Sequence, residues 1–243
     1  MKRLCKSLRK RWAEWTWVDG YNVRRYNGLR WLLCCRNFVD RQIGVFDGFE
    51  QRQMRYLLDA MQKGCDAFLD IGANFGLYSL QVAKSGLAKE VHAFEPDARN
   101  AAQLAGNLYL NQMTSQVHVH PVAVSDTAGR IAFELHPETS TGTTRVASSS
   151  EGNAFLEAVR LEDFLDWKGR TLFIKMDIEG HELAALKGAR ALLSNNRCFL
   201  QVEVFPENEQ QVTAYLKSLG FAIECQIDRD FYFNRPDVGS WRS

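Results

Sequence analysis

Apolar positions recur along this chain in two rhythms, and from about residue 65 the two take turns. Short apolar runs of strand length, AFLDI, EVHAFEP, QVHVHPVAV, TLFIKMD and CFLQVEVF, are each bounded by turn residues. Between them lie segments whose apolar residues fall three and four apart. These are the stretch from Gly76 to Gly86, DARNAAQLAGNLYLNQ, HELAALKGARALLSN and ENEQQVTAYLKSLG. The first rhythm suits strands and the second suits helices that cover a sheet. Their alternation predicts an α/β fold with a mostly parallel sheet covered on both faces. FAIECQI and DFYFN, joined by Asp228 and Arg229, predict a C-terminal antiparallel hairpin on that sheet. After the third strand, the turn SDTAG leads into a short strand, RIAFEL, and then a polar run from His136 to Asn153 that reads as a loop. AVRLEDFLDW connects that loop to the fourth strand.

The first 60 residues follow another pattern. EQRQMRYLLDAMQKG places Met54, Leu57, Leu58 and Met61 on one helical face and stops at Gly64. Ahead of it, YNVRRYNGLRWLLCCRNFVDRQIGVFDGFE alternates apolar and polar residues and reads as irregular strands. At the start, Lys2, Arg3, Lys6, Arg9, Lys10 and Arg11 precede any acid, and Leu4, Leu8, Trp12 and Trp15 fall at helical spacing. Such a basic amphipathic helix can lie on an anionic membrane surface or pack on the domain behind it. The chain therefore divides into a basic extension, residues 1–45, and a main domain, residues 46–243.

Composition narrows the classes. With 243 residues and 46% apolar content, the chain can bury a sizeable core. A net charge of +1 gives the whole molecule no strong pull toward nucleic acid. No apolar run approaches the roughly 18 to 20 residues that span a bilayer, and the basic start lacks the apolar stretch of a secretory signal. The six cysteines form no C-x-x-C pair and read as reduced thiols of a cytoplasmic protein, not as a zinc site. A cytoplasmic location, peripheral at the inner membrane face if the basic helix docks there, follows.

The candidate chemistry begins at FLDIGANFG. A strand ends in Asp70, and a turn with Gly72 and Gly76 opens a helix, the context of a nucleotide-type site with backbone N–H groups facing the ligand. The spacing is D-x-G-x-x-x-G and not the G-x-G-x-x-G of a pyrophosphate cradle. A carboxylate at the strand end repels phosphate and attracts an ammonium group. The expected ligand is a nucleoside with a cationic arm, a description that S-adenosylmethionine meets. Glu95 ends the next strand about 20 residues on, where doubly wound folds hydrogen-bond ribose hydroxyls.

FLDIGANFGLYSL, VHAFEPDARNAAQLAGNLYLN, VAVSDTAG and FIKMDIEGHELAALKGARALL, in this order, resemble the FkbM family of S-adenosylmethionine-dependent methyltransferases over about residues 45 to 222. The resemblance implies a class I methyltransferase fold, Rossmann-like, and methyl transfer to a hydroxyl, often on a sugar or a polyketide-type product. It implies a cofactor loop of Asp70, Gly72, Ala73, Asn74 and Gly76, with Glu95 on the ribose. It places Ser125 and Asp126 near the adenine, and Asp177 on the cofactor's far side.

On the acceptor side, MDIEGHE puts Asp177, Glu179, His181 and Glu182 at the end of the fourth strand, and Glu203 lies near the end of the next. Glu179, His181 and Glu203 are the candidate bases. Glu179 belongs to the family motif, and its ordinary role would be to complement a helix dipole. His181 titrates near neutrality, and its ordinary role would be to begin a helix. Lys175, on a buried strand, needs a carboxylate partner. His136 and Arg145 in the polar loop are candidate substrate contacts. No dedicated metal-ligand spacing is present, although the acidic group could hold a divalent ion. The expected acceptor is a hydroxylated small molecule, a glycan or a glycolipid. The alternatives are methylation of RNA 2′-hydroxyls and a catalytically silent cofactor-binding module at a membrane.

Overall fold

The computed structural model describes residues 20–46, 48–135, 145–147 and 152–235, together with residues 7, 11, 12 and 15–17. The chain enters through a hairpin of β1 (Tyr21–Tyr26) and β2 (Leu29–Cys34), followed by α1 (Phe38–Gly44) and α2 (Gln51–Met61). The hairpin turn is Asn27–Gly28, with φ of 48° and 72°. Both residues take the positive φ that a two-residue turn matched to strand twist requires. The region read as irregular strands is thus a regular hairpin followed by a short helix. Its signal was the Asn-Gly pair.

The main sheet has seven strands. β3 (Cys65–Ile71), β4 (Ala88–Phe94), β5 (Val117–His120), β10 (Thr171–Met176) and β11 (Arg197–Glu203) run parallel, and β12 (Ala222–Ile227) and β13 (Asp230–Asn234) close one edge antiparallel. The order across the sheet is β12-β13-β11-β10-β3-β4-β5. Helices α3 (Leu77–Ser85) and α4 (Ala98–Leu110) follow β3 and β4. They share one core with α2 and the N-terminal hairpin, in which Trp31, Leu33, Leu57, Phe68 and Leu104 are buried together. The opposite face buries Leu69, Ile174, Leu186, Leu193 and Leu216 beneath α5 (Leu161–Phe164), α6 (Glu182–Lys187), α7 (Arg190–Asn195) and α8 (Glu209–Ser218). This is the class I methyltransferase architecture, an α/β sandwich with a mostly parallel sheet and a C-terminal antiparallel hairpin.

Three sequence expectations change. QVHVHPVAV is not one strand: β5 stays in the main sheet, and after Pro121 the chain turns away to give β6 (Ala123–Val124). Proline has no N–H for the ladder, so the strand breaks there. β6 joins β7 (Gly129–Glu134), β8 (Arg145–Val146) and β9 (Ala154–Val159) in a second sheet of order β6-β9-β7-β8. The polar run from His136 to Asn153 therefore contains a strand, in which Arg145 pairs with Glu134 at 2.8 Å. HELAALKGARALLSN breaks into α6 and α7 at Gly188, where a Cβ would stand 1.9 Å from the Ser125 carbonyl oxygen. Only glycine lets the helix reach that backbone.

The hydrophobic core also crosses the boundary drawn at residue 45. Trp31 is fully buried, the Leu32 N–H donates to Asn107 at 2.7 Å, and Gln103 donates to the Leu32 carbonyl at 2.9 Å. Nearer the start, Trp12 and Trp15 are exposed, Trp17 is buried, and Leu4 and Leu8 lie outside the described residues. No helix among the described residues is long and apolar enough to cross a membrane.

Candidate active site

The C-terminal ends of β3, β4, β10 and β11 open on one cleft of about 320 Å³. Ligands bind at this end of open α/β sheets. The cleft has two halves, distinguished by how their polar groups are held.

In the first half the turn after β3 does the positioning. Gly72 has φ 83°, and a Cβ on it would meet the Asp177 carbonyl oxygen at 1.9 Å. Gly76 has φ 93°, and its Cβ would meet the Leu104 side chain at 2.3 Å. The two glycines thus let the loop lie against the protein's own β10 turn and α4. The amides of Gly72 and Ala73 both donate to the Phe94 carbonyl at 3.0 Å. Asn74 takes φ 52°, and its N–H donates to Glu95 at 2.8 Å. Glu95 also accepts from the Asp97 amide at 2.9 Å, which fixes its carboxyl at the floor of the cleft. Burial pushes Glu95 up to about 7 despite these amides.

Asp70 is fully buried, and one carboxyl oxygen accepts from both the Ser79 amide (2.9 Å) and the Ser79 hydroxyl (2.6 Å). The acid that was expected to draw an ammonium group first anchors α3 to β3. Its other oxygen is buried without a hydrogen-bond partner in the described structure. Val122, Val124, Phe94 and Phe133 make the apolar wall of this half. Ser125 and Asp126 do not line it. Ser125 is buried behind the wall with its hydroxyl 2.9 Å from His181 Nε2, and Asp126 is exposed on the turn.

In the second half, register assembles the charges. Asp70, Lys175 and Gln201 are partners across β3, β10 and β11, so Lys175 stands in the middle of the row. Residues two apart on a strand share a face. Lys175 Nζ reaches Asp177 at 2.9 Å and lies 4.8 Å from the centre of the Tyr78 ring. Burial opposes the lysine charge, but Asp177, Glu50 and Asp70 outweigh it and hold Lys175 above its ordinary range. Burial likewise opposes the charge on Asp177, but Lys175 and a bond from Glu203 keep Asp177 below the usual carboxylate range. Glu203 goes the other way: burial and the neighbouring Asp177 push it up to about 9, so it holds a proton at neutral pH. Burial and Asp177 push Glu179 up to about 7. Burial also pushes Glu50 up to about 7, although the neighbouring Lys175 opposes the rise.

Around the β10 turn, Glu179 takes φ 55° and Gly180 φ 97°. Glu182 is fully buried and accepts from the Ile178 and Gly180 amides at 3.2 and 3.0 Å, so it holds this turn in shape. His181 starts α6 without capping it and lines the cleft, and burial lowers its pKa. Glu179, His181 and Glu203 thus meet at one cleft with Asp177. His136 lies outside the described residues, and Arg145 is committed to Glu134.

Sequence reasoning missed Asn37, Phe38, Phe49 and Glu50, which line the cleft from the N-terminal segment, Glu50 beside Lys175 and Asp177. No motif marks them. The single local signal is Phe49–Glu50 at the start of a helical pattern, which reads equally well as a helix start. Among the described residues no group of three or more His, Cys, Asp or Glu is disposed to hold a metal ion.

The donor set of the first half fits a nucleoside with a cationic arm: acids and backbone amides beside an apolar wall, with no lysine or arginine at the glycine turn to hold a phosphate. Residues 70–223, more than half of the chain, match the family described as the Methyltransferase FkbM domain. The hexuronic acid methyltransferase AglP of Haloferax volcanii is 27% identical over 191 residues, covering 76% of this chain and 77% of that protein. The 2-O-methyltransferase NoeI of Sinorhizobium fredii is 26% identical over 163 residues, covering 59% of this chain and 65% of that protein. The crystal structure of methyltransferase FkbM from Methylobacillus flagellatus superposes with a TM-score of 0.52 at 26% identity. The match covers 70% of this chain, which spans less than half (43%) of that structure. Fold, glycine turn and family match converge, and the chain belongs to the FkbM methyltransferases, enzymes that use S-adenosylmethionine.

Proposed function

We propose that the protein methylates a hydroxyl group of a sugar. The observation that carries this reading is the make-up of the second half of the cleft. Phe49 offers an aromatic face, and Glu50, Glu179 and Glu203 offer carboxyls, all beside the glycine-turn half. Carboxyls accept hydrogen bonds from hydroxyls, and aromatic faces pack on the C–H face of a sugar ring. The two relatives, a hexuronic acid methyltransferase and a 2-O-methyltransferase, agree with it.

When bound, S-adenosylmethionine supplies an electrophilic methyl group on a sulfonium. We assign Asp70, Gly72, Ala73, Asn74 and Gly76 to its loop, Glu95 to its ribose hydroxyls, and Asp177 to its far side. Ser125 serves this half indirectly, from behind the apolar wall, and Asp126 serves it through the turn that carries Ser125. The chain's own task is to orient the acceptor oxygen and take its proton. Glu179 suits that task, because it is pushed up to about 7 and lines the cleft from the turn after β10. Glu203, held protonated by burial and Asp177, donates a hydrogen bond. His181 orders the turn through Ser125.

A labelled-methyl screen against neutral and charged glycans and against RNA tests the reading. Label in a sugar and none in RNA is expected. Label in RNA alone would replace it with 2′-hydroxyl chemistry, which the net charge of +1 disfavours. Cofactor binding without label in any acceptor would leave a silent binding module.

We further propose a cytoplasmic enzyme that rests on the inner membrane face through the basic start of its chain, ahead of Asp19. The support is the six basic residues before the first acid, with Trp12 and Trp15 exposed. Sedimentation with anionic vesicles at low salt, and release at high salt, would support it. A protein that stays in the supernatant at both salt levels would end it.

A further inference from the structure

Glu50 comes from outside the matched family region, which begins at residue 70. It takes φ 47°, left-handed backbone that a residue with a side chain adopts at a cost. It precedes α2 without capping it by its side chain. Its carboxyl instead lines the cleft, where Lys175, Asp177 and Tyr78 act on it. The strain positions an acid at the site.

The charge around Glu50 limits what it can meet. Six carboxyls line the cleft: Glu50, Asp70, Glu95, Asp177, Glu179 and Glu203. Among the described lining residues the cation is Lys175, already paired with Asp177 at 2.9 Å. His181 also lines the cleft, where burial lowers its pKa and so disfavours its charged form. The run from His136 to Asn153 contains one arginine and no lysine, and that arginine, Arg145, is held by Glu134. Arg229 lies over the Phe205 ring at 5.1 Å, where its charge acts on Glu179. An acidic acceptor would set a further carboxylate beside Glu50, Asp177 and Glu179, where the described lining offers Lys175, already paired, and Arg229 acts from outside it, which disfavours binding.

We propose that the acceptor is a sugar free of acidic groups, and that Glu50 selects it by accepting hydrogen bonds from its donors. The inference rests on the sugar reading above and separates this site from one built for a hexuronic acid. Discrimination here comes from repulsion of the wrong acceptor as much as from attraction of the right one.

The test uses the full chain and three methyl glycosides that differ at one position: a neutral hexoside, an aminohexoside and a hexuronate. Methyl transfer is followed as kcat/KM, and cofactor affinity by calorimetry. The parent should act on the neutral hexoside or the aminohexoside with kcat/KM at least about tenfold above the hexuronate. Glu50→Gln should raise KM for the better acceptor several-fold, leave cofactor affinity unchanged, and narrow the gap to the hexuronate. Glu50→Asp, which keeps the charge, should recover part of the discrimination and covers the case in which the first variant does not fold. A parent that prefers the hexuronate overturns the proposal. So does a Glu50→Gln protein with unchanged KM for all three, or one that loses cofactor affinity, which would assign Glu50 to the cofactor. A cofactor-binding parent that methylates none of these and labels RNA instead removes the sugar reading itself, a result distinct from a reversed preference.

Discussion

The two halves of the cleft solve the problem of buried polar groups differently. In the cofactor half, carboxyls are met by backbone: Glu95 by the amides of Asn74 and Asp97, Asp70 by the amide and hydroxyl of Ser79. In the acceptor half, carboxyls are met mostly by one another and by Lys175. The first half is built before any ligand arrives, because amide donors cannot leave the loop that carries them. The second holds more acid than its one lysine can neutralise, so part of it stays protonated. Glu203 at about 9 and Glu179 at about 7 are the outcome. On the proposed reading, cofactor binding depends on backbone shape, and acceptor chemistry on side-chain ionisation.

The largest effect should come from breaking the first half at its backbone. Gly72→Ala would place a Cβ 1.9 Å from the Asp177 carbonyl oxygen at a φ of 83°. We expect cofactor binding to fall below detection and stability to drop by about 2 to 4 kcal/mol, read by calorimetry and thermal melting. Normal cofactor affinity in this variant would mean that the loop is not the cofactor's cradle.

Next in size is an effect confined to the acceptor half. Glu179→Gln should lower kcat by about 10²- to 10⁴-fold, the usual contribution of a general base, with cofactor affinity unchanged. His181→Ala should lose less, since its ring nitrogen is tied to the Ser125 hydroxyl at 2.9 Å. A kcat for Glu179→Gln within a factor of about two of the parent moves the base elsewhere in the cluster.

Glu95→Ala returns to the cofactor half. It removes an acceptor of charge-assisted hydrogen bonds, each worth about 1.5 to 3 kcal/mol, so cofactor affinity should fall by about tenfold or more with the fold retained. Because Glu95 also holds the Asn74 and Asp97 amides, Glu95→Gln should recover part of the loss. Equal affinities for the parent and the alanine variant would remove Glu95 from the ribose.

The smallest effect is on stability, and it has a sign. Glu179 and Glu203 have folded pKa values raised from 4.5 to about 7 and about 9. Between pH 4.5 and those values the folded state binds more protons than the unfolded chain, so stability is fully present below pH 4.5 and declines as pH rises through about 9. Glu203→Gln should flatten this decline and stabilise the protein at pH 8 by about 1 kcal/mol, after allowance for solvent screening. Activity should show the same pair as a bell, rising near 7 as Glu179 ionises and falling near 9 as Glu203 does. A pH profile without the alkaline limb would separate Glu203 from the chemistry.

The glycine-turn half was largely legible in the sequence as geometry, since its strand, turn and helix are contiguous. The glycines had a further reason that the pattern could not show, contact with the Asp177 carbonyl and with Leu104. The acceptor half was legible only from the motif MDIEGHE and from Glu203. Glu50, with Phe49 beside it, reaches it from a region without a motif. The Asn27–Gly28 hairpin was open to reading, because positive φ at both positions is an intrinsic preference of that pair. The break at Pro121 was open for a similar reason.

The sequence by itself determined the order of strands and helices, the acid-ended strand before a glycine turn, and the family. Apolar period, proline, glycine and positive φ act over a few neighbouring residues, so they can be read along the chain. Tertiary structure alone decided which acids share a proton and which one stays ionised. Lys175 meets Asp70 because β10 lies beside β3 in one register, and Glu203 meets Asp177 because β11 lies beside β10. A shift of one residue in either ladder would turn these side chains to the opposite faces of the sheet. Ionisation depends on distance and burial, and both are set by the packing of segments far apart in the chain.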